Sequence, residues 1–323
     1  MTPTPPSGRA IPATRPALPS GGAASSRAPT PSLCVAVGGC EGYELLDSGN
    51  RRKLERFGPV VVDRGEPKAW WAPALSEREW RRADAVHDEG RGWRFNNPRC
   101  PRSWEIAAFG LRFSLRFSES SKHLGLFPEQ APHWRAIRRA ADVFPRDPAN
   151  PPRLLNLFGY TGAATLVAAK AGFHVTHVDA SKPAIAWGRD NQARSGLADR
   201  PVRWVLEDAV KYVRREIRRG SRYDAVLLDP PAFGRGPGGG VWKVEFHLAE
   251  LLDLCRQLLT ERPRLFVLTT YNIEASALML TNLLADLLPA TGETTAGELV
   301  LPHASRPDRW LPLSIYAAWA AKA

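Results

Sequence analysis

From residue 151 onward, short apolar runs alternate with longer stretches whose apolar residues recur at helical spacing. The runs 154–158, 174–178, 202–206, 225–228 and 265–269 are rich in Val and Leu and too short for helices, so each predicts a strand. The stretches 163–171, 183–195, 209–219, 244–259 and 275–288 predict helices; Gly172 stops the first, and Pro183 sits just inside the start of the second. Residues 298–301 and 313–319 predict two closing strands. Regular strand–helix alternation implies a parallel sheet covered on both faces.

Upstream the pattern differs. Across 104–117, Leu111, Phe113, Leu115 and Phe117 share one parity, and Arg112, Ser114 and Arg116 the other, which predicts a half-buried hairpin. Tyr43–Asp47 and Lys53–Phe57 read as charged, helical or irregular segments, and Val60–Val62 as a short strand closed by a turn at Asp63–Gly65. Trp70 and Trp71 are expected to anchor a small core, and the charged stretch 76–90 to be helical. The chain therefore divides into a β-rich N-terminal domain over 41–120 and an α/β domain over 121–323. Residues 1–32, rich in Pro, Ser, Ala, Thr and Gly, lack the apolar surface to offset ordering entropy and read as a disordered tail. Arg and Ser without acid also suit a transit peptide, although the prolines oppose an amphipathic helix.

Composition narrows the chemistry. The 323 residues carry a net charge of +11 with 44% hydrophobic content, which fits a real core and an anionic partner. The charge is spread along the chain and forms no basic tail; the run Arg214, Arg215, Arg218 and Arg219 reads as a solvated helix face. Cys34, Cys40, Cys100 and Cys255 form no Cys-x-x-Cys pair, so no structural metal or disulfide framework is expected. No apolar run is long enough to span a bilayer, and a reducing, cytoplasmic setting is expected. Oligomeric state is not legible.

The candidate chemistry lies at the ends of successive predicted strands. Asn156-Leu-Phe-Gly-Tyr-Thr-Gly162 places Gly159 and Gly162 at a strand-to-helix turn, where bare backbone admits a ligand and helix N–H groups can hold a carboxylate. Asp179 ends the second strand, where an acid binds ribose hydroxyls; that position alone does not separate S-adenosylmethionine from NAD. Asp208 ends the third strand, placed to accept from an adenine amine. Asp229-Pro-Pro-Ala-Phe233 ends the fourth, where Pro230 and Pro231 fix φ and remove donors. Acceptors there can hold the hydrogens of an amine so that its lone pair meets a methyl donor, and Phe233 can stack on a planar base. No Gly-x-Gly-x-x-Gly pattern supports NAD.

These motifs, with Val178-Asp-Ala-Ser181, Arg189-Asp-Asn191, Glu207-Asp-Ala209 and Lys122-His-Leu-Gly-Leu-Phe-Pro-Glu-Gln130, resemble those of class I S-adenosylmethionine-dependent methyltransferases. They resemble the branch related to large-subunit ribosomal RNA methyltransferases acting on cytosine C5 or guanine N7. The resemblance implies a Rossmann-like, mostly parallel seven-stranded sheet, S-adenosyl-L-methionine as cofactor and RNA as partner. It implies that Phe158, Gly159, Thr161 and Gly162 hold the methionine part, Asp179 and Ser181 the ribose, and Asp208 and Ala209 the adenine. Phe127 and Gln130 would close the pocket, Asp229, Pro230, Pro231 and Phe233 would form the transfer site, and Arg235 would bind a substrate phosphate. The related cytosine enzymes carry a nucleophilic cysteine just after the fifth strand; here Leu265–Asn272 has no thiol, which favours a nitrogen acceptor. A small-molecule or protein methyl acceptor, or a nucleotide-binding protein without catalysis, are the alternatives.

Overall fold

The structure is a computed structural model that describes residues 32–35, 38–119, 121–142, 149–235 and 240–322, with backbone only at 32–35 and 235. Among the described residues, β1 (Ser32–Val35) comes first, followed by an N-terminal unit of β2 (Tyr43–Gly49), β3 (Arg52–Phe57), β4 (Val60–Gly65), a single helical turn α1 (Glu77–Trp80), β5 (Ala85–Asp88) and β6 (Gly92–Phe95). These five strands form one sheet in the order β2-β3-β4-β5-β6, and β7 (Ser103–Ala108) pairs with β8 (Leu111–Arg116) as a separate hairpin.

Tyr43–Phe57 is thus an antiparallel hairpin rather than helical or irregular, and Asp63–Gly65 continues β4 rather than turning. The reason is tertiary pairing that composition conceals. Arg64 Nε lies 2.6 Å from Glu55 Oε2, Lys53 Nζ lies 3.4 Å from Glu66, and Arg52 Nε lies 2.6 Å from Asp63. Lys53, Glu55 and Arg64 are buried, so charged residues occupy inward positions where apolar ones would have revealed a period of two. Only Glu77–Trp80 of 76–90 is helical, closed by a Ser76–Glu79 capping box. The 104–117 hairpin forms as expected, turning at Phe109-Gly110 with both residues at positive φ. Trp71 packs against the cluster of Leu45, Ala69, Leu301, Leu311 and Leu313, whereas Trp70 is 78% exposed and anchors no core. The tail expected over 1–32 lies outside the described residues except Ser32, which opens β1.

After α2 (Ala131–Asp142) the second unit runs β9 (Arg153–Leu157), α3 (Ala163–Ala171), β10 (His174–Asp179), α4 (Lys182–Arg194), β11 (Val202–Leu206), α5 (Ala209–Arg218) and β12 (Ala225–Leu228). A small hairpin follows, β13 (Phe233–Arg235) with β14 (Val241–Lys243), then α6 (Val244–Arg256), β15 (Leu265–Thr270), α7 (Ala277–Ala285), β16 (Gly292–Pro302) and β17 (Trp310–Ala321). The two closing strands are much longer than the apolar runs 298–301 and 313–319 suggested, because small and polar residues such as Thr294, Thr295 and Ala320 continue the ladder. The main sheet has eight strands in the order β1-β16-β17-β15-β12-β9-β10-β11. Seven belong to the expected α/β layout, and β1 adds an eighth, parallel to β16. β17 is antiparallel to both β15 and β16; the remaining pairs are parallel.

Chain order reverses on the two sides of β9: β10 and β11 lie on one side, β12 and β15 on the other. Diverging connections leave a crevice at the carboxyl ends of such strands, the usual ligand site of open α/β sheets. One continuous apolar core joins the two units, running from Phe57, Val62 and Phe113 through Leu126, Trp134 and Ile137 to Leu154 and Leu166. A polar joint supplements it. Asp47, fully buried, accepts from Leu75 N at 2.8 Å, Trp80 Nε1 at 3.1 Å, Ser305 Oγ at 3.3 Å and Ser48 N at 2.9 Å. Ser48 Oγ and His303 Nε2 lie 2.8 Å apart beside it, sealed from solvent, so this Ser–His–Asp grouping joins β2 to the β16–β17 turn and meets no substrate.

Candidate active site

The crevice is a cavity of about 530 Å³, within the range of cofactor and small-molecule sites. Its walls come from both units. Lys53, Arg64, Glu66 and Pro67 form one side; Phe127, Gln130, Phe158, Asp179, Ser181, Asp208, Ala209, Asp229 and Pro231 form the other. A smaller recess of about 80 Å³ shares Phe127, Gln130, Phe158, Tyr160 and Asp229 with it and reaches Gly159, Thr161, Ala163 and Ala164.

The glycine loop is held from behind. Phe158 and Tyr160 take φ of 57° and 50°, a left-handed backbone that ordinary side chains rarely adopt. Asp179 fixes it: Oδ2 accepts from Tyr160 N and Oδ1 from Ser181 N, both at 2.8 Å. A Cβ on Gly159 would stand 2.4 Å from His177 Cε1, and one on Gly162, at φ 85°, 2.8 Å from Trp204. Both glycines are therefore required by protein packing behind the loop, and Gly162 lines neither cavity. Thr161 is buried, and its Oγ1 donates to Gly125 O at 2.6 Å, which ties the segment 122–130 across the loop. Helix α3 begins at Gly162 without a side-chain cap, and Ala163 and Ala164 in its first turn line the smaller recess. Uncapped helix N–H groups there suit a carboxylate.

Burial pushes the Asp179 carboxyl up, opposed by the amides of Ser181, Tyr160 and Ala180. A carboxylate has about four lone-pair positions, and the hydrogen bonds from Tyr160 N and Ser181 N, with the Ala180 amide close by, leave room for a ribose hydroxyl. Ser181 caps α4 through Ala184 N, and Asp208 caps α5 through Lys211 N at 3.0 Å. Each cap thereby fixes its own backbone at the cavity edge. Two of the three arginines of α5, and its C-cap Arg219, pair with carboxylates: Arg214 with Glu250, Arg215 with Glu207 at 2.9 Å, and Arg219 with Glu216 at 2.9 Å.

At the end of β12, Asp229 Oδ2 accepts from Gln130 Nε2 at 3.2 Å. Asp229 Oδ1 is buried and has no partner. Burial, with Glu129 nearby, pushes its carboxyl up to about 7. The corner after it differs from a bank of free carbonyls. Pro230 is buried and absent from the cavity wall, and the Pro231 carbonyl accepts from Trp242 Nε1 at 2.7 Å. Phe233 is 56% exposed and lies outside the cavity; Arg235 ends the same strand, its side chain outside the described residues.

Several wall residues escaped the sequence. Lys53, Arg64 and Glu66 arrive from the N-terminal unit, Glu129 is buried beside Gln130, and Tyr271 and Asn272 follow β15. Asn272 has φ 53°, and burial lifts the Tyr271 hydroxyl to about 12. The residue pattern carried no signal for the first group, because nothing local marks which charged residues will be buried. His123 also lines the wall, and burial lowers its pKa to about 3, so it is neutral. Cys255 is fully buried in α6, its thiol pushed up by burial, and among the described residues no thiol lines either cavity. Cys255→Ala should cost roughly 1–2 kcal/mol of stability and leave turnover intact; loss of turnover with retained folding would contradict the placement.

No group of three or more potential metal ligands occurs among the described residues, and no helix among them is long and apolar enough to cross a membrane. A family model for S-adenosylmethionine-dependent methyltransferases matches residues 76–260. The crystal structure of the SAM-dependent methyltransferase from Agrobacterium tumefaciens is 42% identical, covers 90% of this chain and 94% of its own, and superposes with a TM-score of 0.85. SMU.776, solved with SAH, shares the fold at TM-score 0.67 and 16% identity, over 88% of this chain and 76% of its own. Ribosomal RNA large subunit methyltransferase K/L of Pseudomonas paraeruginosa is 38% identical over 152 residues, 46% of this chain. The chain matches only 19% of that protein's length. With a methyltransferase family model spanning more than half of it, and a crevice at the sheet reversal whose carboxylates and uncapped helix suit the donor, the chain belongs to the S-adenosylmethionine-dependent methyltransferases.

Proposed function

We propose that this methyltransferase modifies a nucleobase nitrogen of RNA, with ribosomal RNA the leading substrate class. The observation that carries the nitrogen assignment is Asp229 Oδ1: a buried acceptor without a donor, on a cavity wall that carries no thiol among the described residues. Attack from cytosine C5 needs a thiol adduct first; an amine needs only an acceptor for its hydrogen. The likeness to proteins named ribosomal RNA large subunit methyltransferase K/L and the net charge of +11 support RNA. A cytoplasmic location accords with that substrate.

When bound, S-adenosylmethionine supplies a methyl group on a positively charged sulfur. Asp179 would hold the ribose hydroxyls through its remaining lone pairs, with Ser181 beside it, while Asp208 and Ala209 border the adenine. Phe158, Gly159 and Thr161, with the first turn of α3, border the methionine end; Gly162 keeps the loop's shape. Phe127 and Gln130 cover the opening, and Gln130 also orients Asp229. Asp229 then receives the acceptor's N–H, turning the nitrogen lone pair toward the donor. Pro230 and Pro231 fix the corner's backbone, and Phe233 and Arg235 belong to the outer, substrate-facing hairpin.

Asp179→Ala should weaken S-adenosylhomocysteine binding by about 10- to 100-fold, the worth of charge-assisted hydrogen bonds, measured by calorimetry. Unchanged affinity would remove Asp179 from the donor site. For the substrate, nucleosides from RNA of a deletion strain and its parent are compared by mass spectrometry. A base-methylated nucleoside missing from the deletion strain and restored by the purified protein supports the proposal. Identical nucleoside profiles would shift the reading to a protein or small-molecule acceptor.

A further inference from the structure

The most exposed aromatic side chains, Trp70, Phe246 and Phe233, lie within four residues of ones that line the cavity, Pro67 from one unit and Gly234 and Trp242 from the other. On the N-terminal wall, Trp70 is 78% exposed, held upright by its Nε1 donating to Pro67 O at 2.7 Å; Pro67 itself lines the cavity. The Arg51 guanidinium lies 5.8 Å from the Trp70 ring. On the other wall the β13–β14 hairpin divides by parity. Gly234 and Trp242, directly paired, line the cavity, whereas Phe233 and its cross-strand partner Lys243 are exposed. Phe246, one turn into α6, is 73% exposed, with Lys243 Nζ 5.7 Å from its ring. Neither Arg51 nor Lys243 has a carboxylate partner among the described residues.

An exposed aromatic face with a cation beside it that has no carboxylate partner, repeated in both units next to residues that line one cavity, is more than scattered surface exposure, and neither ring anchors a core. It matches what single-stranded nucleic acid requires, namely π-faces on which bases stack and cations that follow the phosphates. A duplex keeps its bases stacked inside and offers these rings nothing to stack on. We propose that Arg51–Trp70 and Phe233–Lys243–Phe246 form the two banks of a single-stranded RNA track across the cavity mouth, holding the nucleotides that flank the methylated one. The track rests on the RNA reading above and adds to it that the target lies in a loop or other unpaired segment.

The test is fluorescence anisotropy of a labelled, unstructured oligoribonucleotide of about ten nucleotides with the full-length protein. Trp70→Ala and Phe246→Ala should each weaken binding by about 5- to 100-fold, Trp70→Phe should retain most of the affinity, and Lys243→Gln should lower the salt slope by about one. Calorimetry with S-adenosylhomocysteine, expected to be unchanged in every variant, reports that the fold and donor site persist. Wild-type protein that binds the oligonucleotide while both alanine variants bind equally well would overturn the track and leave the RNA reading standing. Wild-type protein that binds a matched duplex as tightly as the single strand would overturn the track as well. Wild-type protein that binds neither would overturn both, and the banks would then be a protein-docking surface.

Discussion

Asp229→Asn is expected to reduce methyl transfer by about 10²–10⁴-fold while affinity for S-adenosylhomocysteine stays close to wild type. The substitution preserves shape and the neighbourhood of Gln130, but it replaces an oxygen acceptor with an amide whose NH₂ group only donates. Oδ1 is the position without a partner, so the acceptor's N–H is the group left unmatched. Because burial lifts the carboxyl to about 7, wild-type transfer should rise with pH through that value and level off above it. The same shift has a stability signature of fixed sign. A carboxyl raised on folding binds its proton more tightly in the folded state, so stability falls as pH rises from about 4 to about 7. Above that window the charged group costs the fold roughly 2–4 kcal/mol, and below the unfolded value it costs nothing. Asp229→Asn should therefore raise the melting temperature at pH 8 while removing activity. An inactive variant that melts lower at pH 8 than wild type would contradict the burial argument; a fully active one would remove Asp229 from the mechanism.

Asp47→Ala should lower unfolding stability by about 3–5 kcal/mol in urea or thermal denaturation, without touching the donor site. The carboxylate is fully buried and accepts from Leu75 N, Trp80 Nε1, Ser305 Oγ and Ser48 N. Removing it strands donors contributed by separate parts of the chain, and each stranded donor costs about 1–3 kcal/mol. Ala304 N and Ser305 N also donate to Leu45 O and Leu46 O, so loosening this joint loosens the β16–β17 turn against β2. Asp47→Asn, which keeps two hydrogen-bonding atoms, should lose less. A loss below about 1 kcal/mol for the alanine variant would mean that solvent reaches the joint readily.

How much was legible follows from where the determining interactions lie. In the second unit they are local. Short Val- and Leu-rich runs, Gly172 closing α3 and Ser181 capping α4 all act within a few residues, so the elements and their order could be read directly. The position of the candidate carboxylates was legible for the same reason: Asp179, Asp208 and Asp229 each fall at or just after a strand end, and topology gathers those ends around one cavity. In the N-terminal unit the determining contacts are distant in sequence. Lys53 and Glu55 are inward because Arg64 and Glu66 meet them, and no local pattern distinguishes them from solvated charges. The glycines illustrate a subtler limit. The sequence marks Gly159 and Gly162 as places without a side chain, but only the fold tells that His177 and Trp204 occupy the space where one would stand.

One consequence of the two-sided cavity concerns inheritance. Asp179, Asp208 and Asp229 line the cavity from strand ends of the second unit, whereas Lys53, Arg64, Glu66 and Pro67 come from a stretch that ends before the matched methyltransferase region begins at residue 76. Changes confined to the first stretch would therefore remodel one wall of the cavity and leave the strand ends of the other untouched. A descendant altered in that way would still be traced to its kin through the region from residue 76 onward, while that wall of its cavity had changed unseen.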